Sequence, residues 1–412
     1  MSAEVSVARP ARFALSRQTV LGILVLVAAT CLLLYFRARL PGIALIWVFG
    51  LAFGFILQRG RFCFASAFRD LFLLRDGRVM KGILAGLFVA TLGFALVMYT
   101  YSPTIVAGRF PQGAPVFPLG PATLIAGIIF GVGMVVAGGC VGGNLYRMGE
   151  GYIASWVAVG GMMVGFSLIG LTWNWWWRNT MEGMPKVWLP HTLGWGGAVA
   201  VSLLAIAVAF VLVMWWESRS GLRAPPREAA PPPAATLGDR FAAMGHSLFR
   251  RPLPVITAGI ALGLLNVFIY LFSRPWGVAG EVWRWSDWFA TKLGIHYPEL
   301  LGMDAVEGCH VGSSVTQGFF TWGMLINGGI IVGSLVGALM AGEFKWRVPK
   351  QKRRFAQSLG GGVLLGYGAG LGLGCTVGAF FSAVPALALN GWVFAVGLAL
   401  GALGGIQIIR RL

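Results

Sequence analysis

The sequence predicts an all-α fold, a polytopic membrane helix bundle with an inverted internal repeat, and three observations lead to it. The mean hydropathy is +0.77, and only 11% of the 412 residues are charged, against about 25% in soluble domains. Apolar runs of about 20 residues suit helices that cross a hydrocarbon core ~30 Å thick, and the alternating pattern of a transmembrane barrel is absent. A glycine-rich motif around a cysteine also occurs twice.

The repeated motif is a glycine-dense apolar run that ends at a single cysteine, and its two copies lie 235 residues apart. A Trp-Val pair follows each copy, beginning at Trp156 and, after a one-residue insertion, at Trp392. A cysteine inside a fixed frame of glycines predicts two related halves. The matched residues are Gly131, Gly133, Gly139, Cys140 and Gly143 in the first copy and Gly366, Gly368, Gly374, Cys375 and Gly378 in the second.

The charge pattern and the cysteines exclude several classes of protein. A net charge of +18 would indicate nucleic acid for a soluble chain, but here Arg and Lys gather at the ends of apolar runs, where they set membrane orientation. The five cysteines are isolated, with no CxxC and no His or Cys cluster at metal-ligand spacing. We therefore predict a protein of the lipid bilayer that is not an enzyme, with no nucleic-acid partner, no metal and no cofactor.

The N-terminal part, residues 1–41, contains the first predicted helix. Arg9, Arg12 and Arg17 precede this helix and no small-residue cleavage site follows it, so we expect a retained helix with a cytoplasmic N-terminus. The first half, residues 42–216, adds five crossings, the last of which has no counterpart in the second half. The six predicted crossings are 19–35, 42–58, 82–101, 121–139, 152–173 and 198–216.

Charged and aromatic segments set the direction of these crossings. The Arg-rich segment 59–81 is predicted to face the cytoplasm. The fourth helix returns to that side, so the Cys140 turn is entered from the cytoplasmic face. Tryptophans from Trp173 to Trp177 then predict an aromatic belt at the outer headgroups.

Residues 217–251 are rich in Pro, Ala and Arg and are predicted to form a solvated cytoplasmic linker. The second half, residues 252–412, includes a long outer segment that contains Trp276 and Trp283. Its basic end predicts a cytoplasmic C-terminus. The four predicted crossings are 252–272, 319–340, 355–375 and 391–409.

Counting the crossings predicts that the second half is threaded oppositely to the first, as in the inverted repeats of many transporters. Cys140 is then reached from the cytoplasm and Cys375 from outside, so the two Gly-rich turns or re-entrant segments meet near the bilayer midplane. A non-helical turn at that depth survives only where it is buried in protein or lines a wet path. Helix packing is the alternative use of any single glycine. The set that favours a solute path is Gly139, Gly143, Gly374 and Gly378.

The remaining cysteines differ in their surroundings. Cys63 follows Arg61 in an Arg-rich segment, where cations attract an anion and favour the thiolate. Cys31 lies in the middle of a helix, and we interpret it as a small hydrophobic residue. Cys309 and His310 lie in a segment predicted to be outside or re-entrant, and their role stays open.

Three motifs carry a resemblance to a known family. They are Arg59-Gly60-Arg61-Phe62-Cys63-Phe64 with Arg69-Asp70, Gly139-Cys140-Val141-Gly142-Gly143-Asn144 with Arg147, and Gly374-Cys375 with Phe380-Phe381. With these motifs the chain resembles the YeeE/YedE family of bacterial inner-membrane sulfur transporters from about residue 42 onward. The thiosulfate-uptake branch implies a narrow path in which three thiols bind the ion in turn. Carried over by motif, they are Cys63, Cys140 and Cys375.

Other features are more similar to the YedE branch, for which a selenium-related role is suggested. They are the length, the Pro-rich linker and the segment 273–277. Val278 stands where a second-half partner of Cys63 would fall. A selenium compound or another small anion is therefore an alternative cargo.

The predicted function is uptake of a small inorganic sulfur anion, thiosulfate first, across the bacterial inner membrane. Asn144, Arg61 and Arg147 complete the predicted substrate-binding set, although the two arginines serve equally well as topology signals, and Glu150 is a candidate to neutralise Arg147. A small cytoplasmic sulfur-carrier protein is an open partner. Two other functions stay open: a thiol-redox membrane protein, for which a CxxC is missing, and a membrane anchor for a periplasmic sulfur enzyme.

Overall fold

The computed structural model describes residues 16–106, 108–219, 249, 251–303 and 320–411, and these residues form helices and no β-strand. The α-helices are α1 (Arg17–Arg39), α2 (Ala44–Arg59), α3 (Phe64–Leu73), α4 (Arg78–Tyr101), α5 (Pro121–Ala137), α6 (Val141–Gly149), α7 (Ile153–Trp176), α8 (Pro190–Ser218), α9 (Val255–Phe272), α10 (Ala279–Lys292), α11 (Trp322–Ala341), α12 (Lys352–Leu371) and α13 (Leu389–Arg411). The segments Trp177–Met181 and Thr376–Ser382 are π-helical.

Local sequence sets where the helices begin and end. Pro121 opens α5, because a missing N–H costs nothing in the first turn. Gly138 ends it with a left-handed φ of +78°, a conformation in which other residues are strained. The Thr321 hydroxyl accepts from the Met324 N–H and so caps α11, which stops at Gly342 with φ +72°.

Nine helical segments of the described chain are long and apolar enough to cross a membrane, or ten if a bent pair counts as one span. The ten crossings predicted from the sequence coincide with these helices, so the prediction of an all-helical, multi-span chain is confirmed. Two of the spans contain a break: Ala44–Leu73 comprises α2 and α3, and Pro121–Gly149 comprises α5 and α6. The bent pair is α12 and Thr376–Ser382, at 46°.

Four helix pairs form the body of the bundle: α2 with α11, α4 with α9, α5 with α13 and α7 with α12, and α5 also packs on α12. A Cβ at Gly131 would lie 2.9 Å from Gly401 Cα, and one at Gly50 would lie 2.9 Å from Gly329 Cα. The backbones therefore cross in contact, as small residues allow in membranes. The interface glycines, spaced four apart on each helix, are Gly50, Gly54, Gly329 and Gly333; Gly82, Gly86, Gly259 and Gly263; Gly127, Gly131, Gly397 and Gly401; Gly161, Gly165, Gly362 and Gly366.

α1 and α8 lie on the outside of the bundle, α1 against α11 and α8 against α4. Only 22% of the residues in the apolar window of each are buried, compared with 61% for α11 and 56% for α4. Their exposed apolar surfaces need a hydrocarbon environment.

The predicted crossings do not include the short helices α3, α6 and α10. The Arg-rich segment 59–81 contains α3, and Cys63 at the start of this helix is buried. The predicted outer segment contains α10, whose buried Trp283 stacks on Phe166 with centroids 5.5 Å apart. Trp173, expected in the aromatic belt, is also buried. Hydropathy over 20-residue windows did not indicate these shorter elements.

Two predictions concern residues outside the described part of the chain. One is most of the linker 217–251, and the other is the role of Cys309 and His310. At the linker's described N-terminal end, the Lys81 ammonium pairs with the Glu217 carboxylate at 2.6 Å.

Candidate functional site

Each of the three predicted path cysteines lies at the start of a short helix. Cys63 precedes α3, Cys140 precedes α6 and Cys375 precedes the segment Thr376–Ser382. The first N–H groups of a helix have no partner inside it, and they carry the positive end of the helix dipole. All three cysteines are free and buried, so each thiol lies beside a helix N-terminus that is shielded from solvent.

The thiols of Cys63 and Cys140 face each other across Gly143. A Cβ at Gly143 would lie 2.8 Å from Cys63 Sγ and 3.3 Å from Cys140 Sγ. The Gly143 N–H donates to Cys140 Sγ at 3.3 Å. The two cysteine side chains are also hydrogen-bonded to each other. Glycine is needed here because any side chain would crowd this pair of sulfurs.

The second-half turn reaches the same point. Thr376 is buried, and its side chain lies within hydrogen-bonding reach of the Cys140 sulfur. A Cβ at Gly142 would lie 3.9 Å from Val278 Cγ2, and the Val278 backbone lies beside the Cys375 sulfur. The starts of four short helical segments therefore converge. The residues that precede them are Cys63, Cys140, Val278 and Cys375.

Two of the predicted substrate-binding side chains hold the break between α5 and α6. Asn144 Nδ2 donates to the carbonyls of Gly139 and Cys140, at 3.0 Å each. Arg147 Nη1 donates to the Gly138 carbonyl. The Gly138 and Gly139 carbonyls follow the end of α5 and would otherwise lack partners, whereas the Cys140 carbonyl also accepts from the Asn144 N–H at 2.9 Å. Asn144 and Arg147 therefore have a structural role at this turn.

The break before Cys375 has backbone hydrogen bonds and a side-chain brace from α9, where Asn266 Nδ2 donates to the Phe381 carbonyl at 3.2 Å and to Ser382 Oγ at 3.1 Å. The Gly374 N–H donates to the Ala369 carbonyl at 2.9 Å, and the Ala379 N–H donates to the Cys375 carbonyl at 2.8 Å. The Gly378 backbone lies beside the Cys375 sulfur. The second turn is therefore closed without a side-chain cap from the short segment that follows it.

Aromatic side chains enclose the converging turns. Phe64 and Trp276 both meet Phe381 edge-on, with ring centroids 5.3 and 6.3 Å apart. Trp276 also stacks on Phe53, with centroids 3.9 Å apart. An apolar wall lowers the local dielectric constant and so strengthens the field of the helix ends at the thiols.

The predicted counter-charges do not all lie at the thiols. Arg61 is 72% exposed, and its Nη2 pairs with Glu343 Oε1 at 3.3 Å. Glu150 lies within electrostatic reach of Arg147. Cys31 lies on the exposed surface of α1. Within the described ranges, no group of His, Cys, Asp and Glu could hold a metal ion.

Sequence reasoning missed two polar residues beside the turns. Asn327 Nδ2 donates to the Val278 carbonyl at 2.9 Å, and its buried Oδ1 has no partner. A lone Asn in the apolar run of α11 was the available signal, because polar residues are costly in membrane helices. Thr376 is the other. Its signal was a polar residue directly after Cys375, at the position where the first copy of the repeat has Val141 after Cys140.

Broken helices whose ends converge on buried thiols, within a multi-span helical chain, are typical of membrane transporters. The comparison with protein families agrees. The sulphur-transport family model matches residues 59–403, which is most of the chain. The chain belongs to this family, and the resemblance to YeeE/YedE proteins is confirmed.

Individual relatives match over different shares of the chain. The thiosulfate transporter TsuA of Escherichia coli is 29% identical over 357 residues, which are 85% of this chain and 90% of that protein. TsuA of Spirochaeta thermophila is 28% identical over 85% of this chain and 94% of its own length. The probable transporter YedE of Escherichia coli is 32% identical over 190 residues, 46% of this chain and 45% of that protein.

Proposed function

We propose that this chain takes up thiosulfate through a narrow path lined by the thiols of Cys63, Cys140 and Cys375. The observation that carries the proposal is the convergence of buried thiols and four helix N-termini on one point. The names of the two TsuA relatives, each matched over 85% of this chain, support thiosulfate as the cargo.

The helix ends and one buried cation supply attraction for an anion, since the Arg147 guanidinium lies within electrostatic reach of Cys63. A helix N-terminus is equivalent to roughly half an elementary charge, and at the first turn the Gly143 N–H already donates to the Cys140 sulfur. Arg61, the nearest exposed cation in sequence, pairs with Glu343 instead. Because Arg147 Nη1 already donates to the Gly138 carbonyl, this guanidinium holds the anion weakly, and a transport path must release its ion as readily as it binds it.

The thiols supply selectivity. Sulfur is polarisable and S–H is a weak donor, so a thiol matches the terminal sulfur of thiosulfate better than a carboxylate or carbonyl oxygen would. Because the thiols of Cys63 and Cys140 lie together at Gly143, the ion exchanges one thiol contact for the next over a short step.

We place the turns in an inverted repeat, in which α2 to α7 correspond in order to α9 to α13, with Thr376–Ser382 in the place of α6. The observed helix pairs support this: α2 on α11 corresponds to α9 on α4, and α5 on α13 to α12 on α7. In the same scheme α1 on α11 corresponds to α8 on α4. α8 is then the second-half equivalent of α1 rather than an extra helix.

We further propose a bacterial inner-membrane location, with both termini in the cytoplasm. The end of the bundle that contains Arg59, Glu343 and Arg347 is called the basic end below. The positive-inside rule assigns it to the cytoplasm. A small cytoplasmic sulfur-carrier protein would receive the anion there.

The facing thiols of Cys63 and Cys140 favour one second function, transfer of reducing equivalents. Thiol exchange needs paired cysteines. The sequence has no CxxC, but Cys63 and Cys140 bring two thiols together in the fold. Cys140→Ser separates the two functions, because a hydroxyl replaces a binding contact and cannot form a disulfide. Partial uptake by this variant supports transport.

The direct test is uptake of radiolabelled thiosulfate into vesicles that contain only this chain, with sulfate, sulfite and selenite as competitors. We expect uptake that thiosulfate blocks best, whereas preferential block by selenite would assign the selenium compound as cargo. Vesicles that take up none of these ions would overturn the transport proposal and favour a membrane anchor for another protein.

A further inference from the structure

The guanidinium of Arg59, the last residue of α2, is buried at the basic end and only partly paired. The residue is 1% exposed. Its Nη1 approaches Glu343 Oε2 at 3.5 Å, while Nε and Nη2 are buried with no hydrogen-bond partner. These two atoms form one edge of the planar group, the edge that binds two oxygens of an oxyanion with parallel hydrogen bonds.

The surrounding carboxylates do not fill this edge. Glu343 is shared, because Gln58 Nε2 donates to its Oε2 at 3.1 Å and Arg61 pairs with its Oε1. Arg347 donates to the backbone carbonyls of Glu150 and Glu343 rather than to their carboxylates. Four arginines, Arg59, Arg61, Arg147 and Arg347, therefore lie around two acidic residues. A buried cation that is only partly paired is unfavourable unless an anion joins it.

We propose that the Nε and Nη2 edge of Arg59 is a second anion site, which binds a small doubly charged oxyanion through its oxygens. The inference rests on the proposed function, since Arg59 lies four residues before Cys63 and would hold the transported anion at the cytoplasmic end before release. A guanidinium recognises oxygens, so this site binds sulfate as well as thiosulfate, unlike the thiols.

Titration calorimetry of sulfate into the purified full chain in detergent tests this site apart from the thiol path. Arg59→Lys keeps the charge but loses the two-atom edge, so we expect sulfate affinity to fall about tenfold or more. Glu343→Gln removes the competing carboxylate and should raise sulfate affinity severalfold. Arg354→Lys is the matched control, because Arg354 is exposed and bonds only Gln357 in the described chain.

No sulfate binding by the wild-type chain, or binding that neither Arg59→Lys nor Glu343→Gln changes, would overturn the proposal. Glu343→Gln decides the matter alone if Arg59→Lys does not fold, because a purely structural ion pair predicts no gain in sulfate affinity. Failure of the thiol path would appear instead as thiosulfate uptake that survives Cys140→Ala, with sulfate binding unaffected.

Discussion

The two Gly-Cys turns share a frame of glycines but are held in different ways. At the first turn, Asn144 and Arg147 donate to the carbonyls that follow α5. At the same offsets after Cys375 stand Ala379 and Ser382, and the segment there is π-helical and bent by 46° from α12. The braces of the first turn come from its own short helix, whereas at the second turn Asn266 of α9 donates to the Phe381 carbonyl and to Ser382 Oγ. We infer that duplication supplied the thiols and that later changes gave each turn its own braces.

The largest effect should come from crowding the two sulfurs at the first turn. Gly143→Ala places a methyl group 2.8 Å from Cys63 Sγ, so we expect thiosulfate uptake to be nearly abolished. Alanine stabilises a helix by about 1 kcal/mol relative to glycine, which offsets part of the crowding. Uptake in vesicles and the amount of inserted protein are the two measurements.

Gly142→Ala is the matched control. Its Cβ would be at 3.7 Å from Val377 and 3.9 Å from Val278, which are ordinary contacts, and we expect near-normal uptake. Equal losses in both variants, or normal uptake by Gly143→Ala, would show that this pair of sulfurs is not on the path.

Replacing the cysteines tests whether both turns serve one path. Cys140→Ala and Cys375→Ala should each reduce uptake by about tenfold or more, equivalent to ~1.4 kcal/mol, because one missing site blocks a single-file path. Cys63→Ala should reduce uptake comparably, because Cys63 is as buried as the other two and its side chain is hydrogen-bonded to Cys140. Cys31→Ala, on the exposed surface of α1, should be near neutral.

The measurement is growth and uptake in cells with no other sulfur source, with membrane abundance determined in parallel. Full activity in both Cys140→Ala and Cys375→Ala would leave the thiols without a role. The helix N-termini would then have to bind the ion through their N–H groups alone.

The sequence was sufficient for the crossings, because long apolar runs are visible in its hydropathy. It was not sufficient for α10, whose 14 residues are too few for a span and whose Trp283 resembles a headgroup anchor. The roles of Asn144 and Arg61 also depend on three-dimensional contacts. The Asn144 side chain donates to the Gly139 carbonyl at the break between α5 and α6. The Arg61 side chain bonds to Glu343, 282 residues away in sequence.

The polar brace of the first turn should matter for stability more than for selectivity. Asn144→Ala leaves the buried Gly139 carbonyl without its side-chain donor, while the Cys140 carbonyl keeps the Asn144 N–H, so we expect a loss of about 1–3 kcal/mol. Thermal unfolding in detergent measures it, and competition by sulfate should keep the wild-type order. Asn179→Ala is the control, because Asn179 donates to the Trp175 carbonyl at an exposed position. An unchanged melting temperature in Asn144→Ala would remove the brace as an explanation of the difference between the turns.

The smallest effect should come from the linker that separates the two halves. Its composition cannot build a core. The two halves contact each other directly, because each main helix pair combines one helix that precedes the linker with one that follows it. A deletion confined to 225–245 keeps the Lys81 pair to Glu217 and the hydrogen bond from the Leu253 N–H to the Arg59 carbonyl. We therefore expect insertion and thiosulfate uptake within about twofold of the full chain, since loops tolerate shortening where their backbone makes few contacts. A second variant, in which a Gly/Ser segment of the same length replaces 225–245, separates the effect of the linker's length from that of its charge. If both variants insert normally and neither transports, the linker's own sequence must gate the path, and the two turns could no longer be treated as the whole of the transport machinery.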